Sequence, residues 1–436
     1  MEPEACFLMK PQLLIGAIAS GSGKTTFSMG LMRALRRRGL VVQPFKCGPD
    51  YIDTRFHTIA TGVGSVNLDT WMATPGHVRE IYRHYGKESD ICITEGVMGL
   101  FDGYDRLKGS AAEISTLLQV PVVLLVNGRS TAYTIAAQLF GMKNFIPGIS
   151  IAGVVFNQVG CGRHSAFMRQ ACEDVGLECF GFLPRTPGLE IPSRHLGLTM
   201  GAEQEMDALC DKAADMVTRN VDIDRLLQAC TVPFAEKPAS GQLEAGQATG
   251  KLRVAVARDA AFNFTYRENL DRLSSLGEIT YFSPLAGDSL PGCDLLYLPG
   301  GYPELFAREL SVSATNLQIR EFAEAGGNVL AECGGMIYLC RGIGEAPMCG
   351  VLPFTATMEG ARLHLGYRRI ETSCGSWRGH EFHYSHLTAP EALPSVARQY
   401  NAAGEEVPTP LYRYKNTIAG YTHLYWGEAD ILKLWE

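Results

Sequence analysis

The chain has 436 residues, 46% of them hydrophobic and 19% charged, which is the profile of a soluble globular protein too long for one ordinary core, so two domains are expected. Its net charge of −7 argues against a nucleic-acid surface, because phosphate binding needs clustered Lys and Arg. The 13 cysteines are odd in number and form no Cys-x-x-Cys pair, so a disulfide framework or zinc ribbon is not expected and most read as small buried hydrophobes in a reducing cytosol. The acidic start Met1-Glu2-Pro3-Glu4 lacks the basic region of a secretory signal, and no apolar run is long enough for a membrane span, so a cytoplasmic location is expected.

Leu13 to Ala19 reads as a strand and Thr25 to Arg38 as a helix, with the basic run Arg36-Arg37-Arg38 placed to complement the helix dipole. Between them lies Ala19-Ser20-Gly21-Ser22-Gly23-Lys24-Thr25-Thr26. Gly21 and Gly23 let backbone N–H groups approach phosphates, and a helix N-terminus favours anions. Lys24 would neutralise the β- and γ-phosphates of ATP, the Thr25 hydroxyl would join a Mg²⁺ shell, and Thr26 completes the motif. The strict spacing asks for glycine where this chain has Ile18.

Leu40 to Lys46, Ile91 to Thr94, Val120 to Asn127 and Ile151 to Asn157 follow as short, doubly apolar strands. Such strands suit a parallel sheet covered on both faces, hence a doubly wound α/β domain. Asp50 and Asp53 come just after the second strand, Glu95 ends the third, and Asp102 follows it. Strand carboxyl ends form the ligand crevice of such sheets, and Mg²⁺ favours one or two carboxylates with phosphate and water. Asp50 and Glu95, with Thr25, are therefore the candidates for the metal. The alternative for each acid is a turn residue or helix cap.

Apolar content drops from Ala235, and residues 235–250 read as a linker between a nucleotide domain, 1–234, and a second domain, 251–436. The second α/β pattern runs through strands Leu252 to Ala257, Asp294 to Leu298 and Asn328 to Ala331. Cys333, in Ala331-Glu332-Cys333-Gly334-Gly335, falls on a strand-to-helix turn that exposes a nucleophile at a helix N-terminus. Gly301 and Gly334 could offer N–H groups to an oxyanion, and His423 is the candidate base. His380, His383 and His386 lack zinc-like spacing and are expected to be structural or to lie at a domain interface.

Gly48-Pro49-Asp50-Tyr51-Ile52-Asp53 and Glu95-Gly96-Val97-Met98-Gly99-Leu100-Phe101-Asp102-Gly103 resemble the cobyrinic acid a,c-diamide synthases, with dethiobiotin synthetase similar in its nucleotide domain. The resemblance runs from Leu13 to Trp426 and implies a P-loop amide synthetase domain followed by a class I glutaminase domain. In the family the equivalent acids serve Mg²⁺, ATP and substrate, and Asn157 matches a position expected to touch adenine. The resemblance implies a polyanionic substrate, which the acids would repel unless Mg²⁺ and protein cations offset them, so Asp50 and Glu95 are expected to bind metal, and Lys46, Tyr51, Asp53 and Asp102 are expected to meet substrate. Gln158 stands where Arg is commoner. The second half resembles the branch of class I amidotransferases that works with a Cys–His pair: Tyr425 occupies the place of the usual triad Glu, and Glu428 is not assigned that role. The implied reaction is ATP-dependent diamidation of a corrinoid acid with glutamine nitrogen through an acyl phosphate, with Mg²⁺ and with room for a homodimer. The alternatives are nickel-sirohydrochlorin a,c-diamide synthase, cobyric acid synthase and, from another class, a partitioning-type ATPase switch. The switch usually carries a second P-loop lysine where this chain has Ala19.

Overall fold

The computed structural model describes residues 8–160, 162–189, 200–234, 252–388 and 393–436. They divide into two compact units, built mainly from residues 8–234 and from residues 252–436. The linker expected at 235–250 lies outside the described residues. No helix among the described residues is long and apolar enough to cross a membrane.

The first unit alternates strand and helix. It runs β1 (Leu8–Ala17), α1 (Lys24–Arg37), β2 (Val42–Cys47), α2 (Ile52–Thr61), β3 (Val66–Leu68), α3 (Pro75–Gly86), β4 (Ile91–Glu95) and α4 (Ala111–Leu118). It continues with β5 (Val122–Asn127), α5 (Ile135–Asn144), β6 (Ile151–Asn157), α6 (Arg163–Val175), β7 (Glu178–Leu183), α7 (Met200–Asn220), α8 (Ile223–Ala229) and β8 (Thr231–Phe234). The sheet order is β3-β2-β4-β1-β5-β6-β7, parallel throughout, with β8 antiparallel on the start of β1. Leu13, Leu14 and Ile15 are fully buried although they alternate between faces, as a sheet covered on both sides requires. The chain turns from β1 into α1 between β4 and β5, where the strand order reverses and a ligand crevice opens.

Two differences from the sequence reading have clear causes. β1 starts at Leu8, earlier than its apolar run, because Leu8 to Pro11 pair with β8. There the buried Lys10 sits 3.7 Å over the Phe234 ring and donates to the carbonyls of Gly86 and Ser89. The basic end of α1 also does more than complement its own dipole. Arg33 binds Asp207 and Asp211, Arg37 binds Asp211 and Asp215, and Arg38 binds Asp224, tying α1 to α7 and α8. Gly30 permits that helix contact, since a Cβ there would lie 2.7 Å from the Ala213 carbonyl oxygen.

In the second unit, β9 (Leu252–Ala257), β10 (Gly277–Phe282), β11 (Leu295–Leu298) and β12 (Asn328–Glu332) are parallel in the order β10-β9-β11-β12. The strand Thr417–Gly420 extends this sheet parallel to β12, and Leu411–Tyr414 closes it antiparallel. After the single residue Tyr421, the chain enters the strand Thr422–Tyr425 of a second, antiparallel sheet, beside Gly375–His383. That sheet was not legible in the α/β pattern of the sequence, because its strands mix polar and apolar residues on both faces.

Candidate functional site

The first centre lies at the carboxyl ends of β1, β2 and β4. Gly21 and Gly23 take φ of 73° and 94°, the left-handed region that a Cβ would strain. A Cβ on Gly23 would also meet the Asn157 amide nitrogen at 2.4 Å. Asn157 ends β6, donates to the Ser22 carbonyl at 2.9 Å and accepts from the Gln158 N–H at 2.9 Å. Its amide therefore braces the phosphate loop from beneath. Thr26 is half-buried in the first turn of α1.

Lys24 donates to the Met98 carbonyl at 2.5 Å. Burial, and then the charge of Lys46, lower its pKa against Glu95, Asp53 and Asp102. Lys46 is buried at the end of β2 and donates to Asp53 at 2.6 Å, Glu95 at 3.0 Å and the Gly96 carbonyl at 3.2 Å. Burial works to lower its pKa, but Asp53 and Glu95 raise it on balance, so it stays an ammonium. Burial works to raise the pKa of Glu95, and Lys46 and the His57 bond bring it down well below the carboxylate range. Asp53 is pushed up to about 8 by burial and by the charge of Asp50, against Lys46. The Thr25 hydroxyl lies 3.2 Å from Asp53 and 3.0 Å from Glu95, joining the P-loop to both acids.

Asp50 and Asp102 take the places that their alternative reading described. Asp50 accepts the N–H groups of Ile52 at 2.8 Å and Asp53 at 2.9 Å, capping the start of α2 just after Tyr51. Asp102 is exposed and accepts the Gly99 N–H at 2.9 Å, holding a tight turn. The sequence reading missed His57, whose Nε2 lies 2.7 Å from the second Glu95 oxygen and whose ring is fully buried. Its spacing from Asp53, one helical turn along α2, was the available signal. The described residues contain no group of three or more His, Cys, Asp and Glu that could hold a metal by themselves. A hydroxyl with two carboxylates beside a phosphate loop is instead the sparse oxygen set that Mg²⁺ uses.

The second centre is contained in the second unit. Cys333 joins β12 to the helix Gly334–Leu339 with φ of 47° and ψ of −103°, a strained turn for a residue with a side chain. Its N–H donates to the Gly420 carbonyl at 2.7 Å, and its thiol is directed to the Phe382 carbonyl at 3.7 Å. A Cβ on Gly334 would lie 2.8 Å from the Gly301 nitrogen, so the two candidate oxyanion glycines adjoin. A Cβ on Gly300 would lie 2.1 Å from Cε1 of His423, which brings the imidazole to the same turn. Cys333, near the middle of the second domain's sequence, and His423, near its end, thus converge on Gly300-Gly301.

Both groups are neutral in this arrangement. Burial, then the charge of Glu304, raises the Cys333 thiol far above its ordinary range. Burial, then His380 and His383, holds His423 far below its own. Glu428 is exposed whereas His423 is fully buried. His383 is bonded to Glu381 at 2.8 Å and to the Ser385 carbonyl at 2.7 Å, and stacks on Tyr421 at 3.6 Å, while His386 is exposed. Glu332 was passed over inside its motif. It accepts from the Tyr297 hydroxyl at 2.8 Å and from the Leu424 N–H at 3.0 Å, linking the cysteine strand to the histidine strand.

Residues 13–198 match the CobQ/CobB/MinD/ParA nucleotide binding domain, and residues 253–431 match the CobB/CobQ-like glutamine amidotransferase domain. The cobyrinate a,c-diamide synthase of Picrophilus torridus is 41% identical over 430 residues, covering 95% of each chain. The hydrogenobyrinate a,c-diamide synthase of Brucella suis is 38% identical over 433 residues, covering 95% of this chain and 99% of its own. The cobyrinate a,c-diamide synthase of Dehalococcoides mccartyi is 39% identical over 449 residues, covering 97% of each. With a P-loop centre in one unit and a cysteine turn in the other, the chain belongs to the cobyrinate and hydrogenobyrinate a,c-diamide synthase family.

Proposed function

We propose that the chain amidates the a and c carboxylates of cobyrinic acid, or of its metal-free counterpart, using ATP and glutamine. The observation that carries this reading is the union of two unlike centres in one chain, a phosphate loop with buried acids and a strained cysteine turn. Neither a nucleotide switch nor a free-standing glutaminase needs both. We place the reaction in the cytoplasm, with no nucleic-acid partner.

In the first unit, the loop around Gly21 and Gly23 and the start of α1 would cradle the phosphates, braced by Asn157. Lys24 would leave the Met98 carbonyl for the γ-phosphate as a substrate carboxylate attacks it and ADP departs. Thr25, Asp53 and Glu95 would hold Mg²⁺, which supplies charge neutralisation on the phosphate oxygens. This grouping moves Asp53 into the metal set in exchange for Asp50, whose oxygen is engaged at the start of α2. Lys46 and Tyr51 remain the residues proposed to meet the substrate acid.

In the second unit, His423 would take the thiol proton as the Cys333 sulfur attacks the glutamine side-chain carbonyl. The oxygen would gain its charge beside the N–H groups of Gly301 and Gly334. The C–N bond then breaks, the leaving nitrogen takes the proton back as ammonia, and water releases glutamate from the thioester. Ammonia displaces phosphate from the acyl phosphate to give the amide. The test is a panel of cobyrinic acid, hydrogenobyrinic acid, nickel-sirohydrochlorin and the dethiobiotin precursor, with ATP and glutamine, read by mass for two new amides. Diamidation of the corrinoid acids is expected. Much faster turnover of nickel-sirohydrochlorin would move the enzyme to another pathway, and no amidation of any acid would overturn the reaction itself.

A further inference from the structure

A glutaminase histidine has to be held in one orientation to pass a proton between sulfur and nitrogen, and a carboxylate two residues further along usually does this. Here that residue is Tyr425, whose hydroxyl is hydrogen-bonded to the buried carboxylate of Glu268. The imidazole stacked on the His423 ring comes from the neighbouring strand. Thr422–Tyr425 pairs antiparallel with Gly375–His383, and His423 stands directly opposite His380. Directly opposite side chains leave the same face of the sheet. The two imidazoles stack with centroids 5.1 Å apart and planes 18° apart.

His380 is itself fixed. The Tyr266 hydroxyl lies 2.8 Å from its Nδ1, and the Tyr266 ring meets the Tyr425 ring edge-on at 5.7 Å. Asn269 adds a backbone clamp, donating to the Leu424 carbonyl at 2.7 Å and accepting from the Trp426 N–H at 2.9 Å. Burial, then the charge of Arg368, pushes the pKa of His380 down to about 3, so the stacked ring is uncharged. An uncharged aromatic ring packed face to face against His423 can restrict the rotation of its imidazole.

We propose that His380, held by Tyr266, is the positioning residue that replaces the absent triad carboxylate and fixes His423 for proton transfer. This rests on reading Cys333 and His423 as the glutaminase pair. The full-length variants His380→Ala, His380→Phe and Tyr266→Phe are compared with His423→Ala in glutamine hydrolysis and in the rate of Cys333 alkylation by iodoacetamide. His380→Ala should lower kcat about a hundredfold with KM for glutamine within about threefold, the pattern of lost proton-transfer alignment rather than lost binding. His380→Phe keeps a flat ring for the stack and should recover about tenfold of that loss, and alkylation rates should follow the same order. Tyr266→Phe removes one hydroxyl from a packed ring, and should cost about threefold in kcat. This variant carries the test if the His380 variants do not fold. A kcat for His380→Ala within twofold of wild type, a loss confined to KM, or His380→Phe as inactive as His380→Ala would overturn the proposal, as would an unaltered Tyr266→Phe. Wild-type hydrolysis by His423→Ala would instead defeat the Cys–His reading beneath it.

Discussion

Among the acids of the nucleotide centre, position along the chain and position in space give different answers. Asp50 and Asp53 belong to one short motif, yet Asp50 caps α2 while Asp53 reaches both Lys46 and Thr25. Asp53→Asn should therefore behave like Glu95→Gln, lowering ATP turnover by roughly ten- to a hundredfold and raising the Mg²⁺ concentration needed for half-maximal rate. Asp50→Asn retains a capping oxygen, so ATP turnover should stay near wild type, whereas Asp50→Ala should cost about 1 kcal/mol of stability. Steady-state kinetics against ATP and Mg²⁺, with urea unfolding of the Asp50 variants, check both. Loss of Mg²⁺ affinity in Asp50→Asn, with Asp53→Asn affecting corrinoid KM alone, would restore the assignment expected from the sequence. The two assignments differ because an Asp two or three residues before a helix looks the same on paper whether its oxygen faces the helix or the ligand.

Strands β12 and Thr422–Tyr425 belong to different sheets, and the buried side chain of Glu332 ties them together. Burial pushes the pKa of Glu332 from its ordinary 4.5 up to about 8, against the bonds from the Leu424 N–H and Tyr297 hydroxyl. A carboxyl whose folded pKa is raised stabilises the fold in its protonated form. Its contribution is fully present below its unfolded pKa and is lost as pH rises through the folded value. The melting temperature should therefore lose a Glu332 contribution between about pH 5 and 8. Glu332→Gln keeps an oxygen for Leu424 and can donate to Tyr297, so it should match wild type at low pH and exceed it near pH 8. Glu332→Ala leaves the Leu424 N–H buried without its acceptor and should melt several degrees lower at every pH. Thermal melts across this range decide, and parallel wild-type and Gln curves would show that the carboxyl does not titrate there.

At the scale of the molecule, two activities share one chain and each has its own nucleophile. Cys333→Ser should lose glutamine-dependent synthesis by at least about a thousandfold and keep synthesis with high ammonia, if the thiol serves only to release nitrogen as proposed. Lys24→Ala should lose synthesis with either nitrogen source, because carboxylate activation comes first. Amide formation with glutamine and with ammonium, beside phosphate release, separates the two. Ammonia-dependent synthesis that failed in a folded Cys333→Ser protein, or persisted in Lys24→Ala, would show that the centres do not divide the work in this way.

Local chemistry was legible without the fold. The phosphate loop, the cysteine turn and the apolar strands that carry them depend on neighbours within a few residues, where glycine, a following helix and strand periodicity leave few alternatives. From these the α/β architecture followed, while chain length gave two domains and the family resemblance of the motifs gave the type of reaction. The partners of each side chain were decided by tertiary structure. Lys46 found Glu95 from an adjacent parallel strand, Arg33 and Arg37 found α7, and His57 came beneath Glu95 from the far end of a helical turn. His423 met His380 through an antiparallel register that no single-strand pattern encodes. Buried charges and imidazoles take their protonation from such contacts and from the water excluded around them, and both exist only once distant segments have packed.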